Sequence, residues 1–124
     1  MVTVKPAAAE RVAEICDKLN LPYGADTLAM EATEAGQYVG SAVFSLSDKL
    51  YLMYVDYTAG DDWLCDLIAR AAMNYAVNRS VDGCELGMMG PLDTFVRWGY
   101  IEQPLPGQIS IIALFTTCKH CRAQ

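Results

Sequence analysis

The stretch Leu50-Tyr51-Leu52-Met53-Tyr54-Val55-Asp56-Tyr57, running through Thr58, Ala59 and Gly60 into Asp61-Asp62-Trp63-Leu64-Cys65-Asp66-Leu67-Ile68, decides the fold. Its first eight residues are nearly all apolar or aromatic, as in a central strand covered on both faces. The second half begins a helix, because Leu64, Leu67, Ile68, Ala71, Ala72 and Tyr75 recur at helical spacing over three turns. Thr58, Gly60 and Asp61 supply capping chemistry ahead of it, with Asp61 as N-cap and Asp62 as a first-turn acid. A buried strand that feeds a helix in this way reads as the start of a crossover to a further strand.

Upstream, Thr3 to Lys5 is a short strand and Pro6 opens a helix, since proline suits the first helical turn. Val12, Ile15, Cys16 and Leu19 form one apolar stripe, and Pro22-Tyr23-Gly24 ends that helix. Leu28, Met30 and Ala32 alternate with Ala29, Glu31 and Thr33, the pattern of a half-buried strand. Ala35-Gly36 turns the chain into a strand from Tyr38 to Leu46, and Ser47-Asp48 turns it again. Downstream, Ser80 to Gly83 ends the long helix and Cys84 to Met88 is a short strand. Pro91 to Trp98 is a short helix stopped by Gly99. Tyr100 to Glu102 and Ile109 to Thr117 are strands joined across Pro104, Pro106 and Gly107. The order β-α-β-β-β-α-β-α-β-β predicts an α/β (α+β) domain: a mixed, mostly antiparallel sheet flanked by three helices.

Composition bounds the partners. The 124 residues make a single domain, 1–124. A hydrophobic fraction of 53% with 19% charged residues excludes a disordered chain. Nine basic residues against fifteen acidic ones, a net charge of -6, argue against nucleic acid and against an anionic membrane surface. The longest apolar strip, Ile109 to Phe115, is too short to span a membrane. The N-terminus carries no signal-peptide pattern, so the five cysteines are expected reduced, in the cytoplasm. A mean hydropathy of +0.18 is high for a small soluble monomer and points to a homodimer.

Two segments resemble the GNAT N-acetyltransferase superfamily, of which the chain reads as a short, divergent member. The strand Leu50 to Tyr57 running into Gly60 to Ile68 sits where that family has its central strand and pyrophosphate loop. Phe95-Val96-Arg97-Trp98-Gly99-Tyr100 resembles the Tyr-x-x-x-Gly-Phe ending of the family's last helix. The resemblance implies acetyl-CoA or another acyl-CoA as co-substrate and a small-molecule or peptide amine as acceptor. It also implies that a backbone N–H of Val55 or Tyr57 binds the thioester carbonyl, and that Gly60, Asp61, Asp62, Trp63, Leu64 and Cys65 hold the pyrophosphate. The family's general base is usually a carboxylate on a central strand, for which Asp56, Glu31 and Glu34 are the candidates.

The sequence departs from the pattern in two places. In the family's Arg/Gln-x-x-Gly-x-Gly/Ala loop, glycines let backbone N–H groups approach an anion at a helix N-terminus. Here Gly60, Trp63 and Cys65 stand at the three defining positions, and Asp61, Asp62 and Asp66 bring negative charge to the same turn. At the position of the family's general-acid tyrosine stands Phe95, which has no proton to give. Two readings therefore stand: an acyl-CoA-dependent N-acyltransferase with an eroded loop, or a catalytically inactive binding or dimerisation module that needs no cofactor. Cys118, His120 and Cys121 are the one metal-like cluster, short of the four ligands of a structural zinc site. Tyr51, Tyr54, Tyr57, Trp63 and Tyr75 either line a pocket or belong to the core.

Overall fold

The structure is a computed structural model that describes residues 1–58, 61–87 and 108–111. Its elements are β1 (Val2–Pro6), α1 (Ala9–Leu19), β2 (Thr27–Glu34), β3 (Gln37–Leu46), β4 (Leu50–Tyr57), α2 (Asp62–Val77), β5 (Gly83–Leu86) and β6 (Gln108–Ser110). The strands form one sheet in the order β1-β2-β3-β4-β5-β6. Every neighbouring pair is antiparallel except β4 and β5, which α2 joins as a crossover. The predicted α+β class and mostly antiparallel mixed sheet are therefore present. Two helices, not three, lie among the described residues. The expected helix Pro91 to Trp98, the strand Tyr100 to Glu102 and the last strand beyond Ile111 lie outside them.

Two local expectations are corrected. Pro6 ends β1, paired with Met30, rather than opening α1. The N–H of Ala7 still donates to Ala29 O at 2.9 Å, so the extended chain continues past the proline. On an edge strand, the N–H that proline lacks need not be missed. The helix starts at Ala9, behind an extended Ala8 that provides no side-chain cap. It ends at Leu19, before Pro22-Tyr23-Gly24, because Asn20 takes the left-handed conformation at φ 57°. Asn20 N–H then donates to Asp17 O and Leu21 N–H to Cys16 O, the Schellman pattern, and Leu21 turns into the core.

The β2–β3 hairpin turns at Ala35 and Gly36, both at positive φ (52° and 79°). Two successive left-handed residues match the twist of the flanking strands. Two bulges follow. Val39 is extra in β3 against β2, where the register steps from Ala32↔Gly40 to Thr33↔Tyr38. Met53 is extra in β4 against β3, where it steps from Val43↔Tyr54 to Phe44↔Leu52. Gly40 is required beside them: a Cβ there would meet the Asp56 carbonyl oxygen and lie 2.7 Å from Ile68 Cδ1 of α2.

The helices cover opposite faces of the sheet. On the α2 side, Met30, Ala32, Ala42, Phe44, Leu52 and Val55 pack against Leu64, Cys65, Ile68, Ala72 and Met73. Tyr75 meets Phe44 edge to face, with centroids 5.5 Å apart. The α1 side holds a smaller apolar cluster of Val12, Ile15, Cys16, Leu21, Ala29 and Val43.

Candidate functional site

β4 is longer than the strand beside it. Its first three residues pair with β5 as Leu50↔Cys84, Tyr51↔Glu85 and Leu52↔Leu86. Gly87 N–H adds a bond to Leu52 O at 2.9 Å. From Met53 to Tyr57, β4 is paired only with β3 among the described residues. Among the described residues the β4–β5 ladder thus reaches only Leu52, short of residues 54–57.

The Met53 bulge decides which side chains face which way. Met53 and Tyr54 both pack on the α1 side, while Leu52, Val55 and Tyr57 pack on the α2 side. An extra residue interrupts the alternation once and then lets it resume. Asp56 consequently joins the α1 face, while its neighbours in sequence face α2.

That face carries a polar row across three strands. Ser41 pairs with Glu31 on one side and with Asp56 on the other. Ser41 is the one buried polar side chain among the described residues. Tyr38 leans over the row, and its hydroxyl donates to Asp56 Oδ2 at 2.6 Å. The Ser41 hydroxyl lies 2.8 Å from the Tyr38 hydroxyl oxygen and, since the Tyr38 proton goes to Asp56, donates to it. Burial, followed by the bond to Asp56, pushes the Tyr38 phenol well above its usual range, so its proton stays in place. From α1, Arg11 holds Glu31 through Nε at 2.8 Å and Nη2 at 2.7 Å. This bond to Glu31 raises the Arg11 pKa further. Lys18 places Nζ 3.8 Å from the centroid of the Tyr38 ring.

The start of α2 lies on the other side of the sheet. Asp61 occupies the N-cap position but makes no side-chain bond to the helix. This corrects the expectation that its carboxylate occupies the free N–H groups. Asp66 grips Arg70 Nε with both oxygens, at 3.0 and 3.1 Å, so its charge is compensated. Leu64 and Cys65 point into the core, whereas Trp63 is 52% exposed.

The structure brings the base candidates Asp56 and Glu31 onto one face. Glu34 instead lies at the strand end, 3.7 Å from the N-terminal amine. Gly60, Phe95, Cys118, His120 and Cys121 lie outside the described residues. Among those described, no group of three or more potential metal ligands exists, and no helix is long and apolar enough to cross a membrane. Four of the five aromatics do not converge: Tyr75 and Tyr57 pack on the α2 core, Tyr54 lies on the opposite face, and Trp63 is exposed. Tyr38 and Ser41 are the site residues that sequence reasoning missed. The signal for them is register, which aligns positions 31, 41 and 56 only once both bulges are known.

No family model and no curated protein matches the chain. Solved structures do match. A GNAT family acetyltransferase from Brucella melitensis in complex with acetyl-CoA superposes with a TM-score of 0.63 at 17% identity, over 89% of this chain and 88% of that one. The ribosomal-protein-S18-alanine N-acetyltransferase from Escherichia coli gives 0.57 at 14%, over 69% and 66%. The IAA acetyltransferase from Bacillus cereus gives 0.54 at 14%, over 69% and 65%. The matched region thus spans just under two thirds of each of the latter two chains. Likeness at these identities is likeness of fold.

Proposed function

We propose that this chain, which has the fold of the GNAT acetyltransferases, is an acyl-CoA-dependent N-acyltransferase acting on a small-molecule or peptide amine. The observation that carries the reading is the opened edge of β4. Among the described residues β4 runs on past Leu52 without β5, the α2 N-terminus lies on one side of it, and the Asp56 carboxylate lies on the other. Alternation after the bulge turns the peptide groups of Val55 and Tyr57 to the same edge as that of Leu52, where β5 has ended. A thioester entering from the α2 side would reach an amine held at Asp56 through that opening.

In this reading Asp56 takes a proton from the acceptor ammonium. The freed nitrogen pair attacks the thioester carbonyl carbon, and the N–H groups of Val55 or Tyr57 receive the developing oxyanion. The carbon–sulfur bond breaks, and the departing thiolate takes, relayed through water, the proton that the nitrogen gives up as it becomes the amide. Residues 60–65 hold the pyrophosphate through backbone N–H groups, against the charge of Asp61 and Asp62. Those two carboxylates favour the second reading, a binding module without turnover. The proposal further places the chain in the cytoplasm as a homodimer, with exposed Trp63 and Leu67 among the surface to be covered.

Calorimetry with coenzyme A and thiol release from acetyl-CoA test the reading. No heat at millimolar coenzyme A would sink it. If the acidic turn only weakens the cofactor, Asp61→Asn with Asp62→Asn should tighten coenzyme A about fivefold, as expected for removal of ~1 kcal/mol of repulsion. Cys65 is left in place, because it is fully buried.

A further inference from the structure

On the α1 face, two opposite charges stand without an ionic partner among the described residues. Asp56 accepts the Tyr38 hydroxyl at 2.6 Å and meets no lysine or arginine. Lys18 forms no ion pair, and its ammonium rests over the ring of that same tyrosine, 3.8 Å from the centroid. The neighbouring cation, Arg11, is engaged by Glu31 at 2.7 Å and by Glu14 at 3.6 Å. Tyr38 thus separates an anion beyond its hydroxyl from a cation above its ring. The buried Ser41 hydroxyl fixes the oxygen end of this spacer at 2.8 Å.

We propose that this face binds a small amino-carboxylate, with its ammonium on Asp56 and its carboxylate on Lys18. The inference rests on the reading of Asp56 as the group that receives the acceptor amine, and it names the class of that acceptor. A plain amine satisfies Asp56 and leaves Lys18 without an anion. A diamine sets its second charge against Lys18, and a plain carboxylate is repelled by Asp56. A molecule with both groups on one short frame answers each charge with its opposite. Such pairs of charge-assisted bonds select for geometry as well as charge.

The test titrates the full chain, without acyl-CoA, with glycine, β-alanine, 4-aminobutyrate, ethylamine and acetate, and follows the Tyr38 signals by NMR. At least one of the three amino-carboxylates should bind about tenfold more tightly than both ethylamine and acetate, the worth of one added charge-assisted contact. Lys18 is exposed, so Lys18→Met should fold normally and bring that ligand down to the level of ethylamine. Lys18→Arg should keep the preference, and Asp56→Asn should reduce binding to that of acetate. The proposal is overturned if no amino-carboxylate binds, if none exceeds ethylamine, or if the preference survives Lys18→Met. Thiol release from acetyl-CoA separates it from the acyltransferase reading. Transfer to ethylamine with no amino-carboxylate preference keeps that reading and overturns this inference. Saturable amino-carboxylate binding that depends on Lys18, with no thiol release, does the reverse.

Discussion

Beneath α2 the central strands present Met30, Ala32, Ala42, Phe44, Leu52 and Val55, and each is buried among apolar partners. Beneath α1 the same strands present Ala29 and Val43 but also Tyr38, Ser41 and Asp56, joined by short hydrogen bonds, and Glu31, held by Arg11, with Lys18 over the Tyr38 ring. One face is dry and holds the fold together. The other gives up apolar area to a fixed polar row. A sheet can divide labour in this way because its side chains alternate, so each strand contributes to both faces without conflict.

The comparison can be broken by mutation, and the largest effect belongs to the dry face. Phe44→Ala removes a fully buried ring that also meets Tyr75, and it should cost about 3–5 kcal/mol in denaturant unfolding. A loss below 1 kcal/mol would mean that this face does not carry the stability. Gly40→Ala comes next, at about 1–3 kcal/mol, because the new methyl group is pressed against the Asp56 carbonyl and Ile68. It should also disturb Asp56, so any acyl transfer should fall along with stability.

On the polar face, Tyr38→Phe should cost about 1–2 kcal/mol, since it leaves the buried Ser41 hydroxyl without its partner. It should also change the alkaline limb of stability. The Tyr38 pKa is higher folded than unfolded, so the native state keeps a proton that the unfolded chain releases. That contribution is fully present below about pH 10 and is lost as pH rises from there toward the folded value. Unfolding measured from pH 8 to pH 11 should show a decline that is shallower in Tyr38→Phe. The residual decline belongs to groups such as Cys84, whose thiol burial pushes up to about 12.

The smallest effect serves as a control that belongs to neither face. Ala35→Gly relieves an alanine held at φ 52° in the hairpin turn and should stabilise by up to about 1 kcal/mol without touching ligand binding. A change in binding would show that the turn reaches the polar row.

Much of this architecture is legible in local pattern. The span of β4 and the existence of α2 follow from composition and periodicity, and both are observed, but the buried stripe of α2 is Leu64, Cys65, Ile68, Ala69, Ala72, Met73 and Ala76, with Leu67 of the expected stripe left exposed. The errors arise where a tertiary partner overrides propensity. Pro6 reads as a helix start, yet β2 pairs with it. Asn20 ends α1 before the obvious breakers because its left-handed turn brings Leu21 into the core. Asp61 reads as a capping side chain, yet its carboxylate makes no capping bond to the helix.

Of the candidate site, Asp56 and Glu31 were legible as carboxylates on strands, but their relation was not. By itself the sequence determined the element order from β1 to β5, the mixed sheet and the strand-to-helix junction, because those depend on neighbours a few residues apart. The tertiary structure alone decided that Glu31, Ser41 and Asp56 form one row beneath Tyr38. These positions become neighbours only through strand register, and two single-residue bulges set that register. Strand side chains repeat every two residues, so a slip of one would send the whole row to the opposite face.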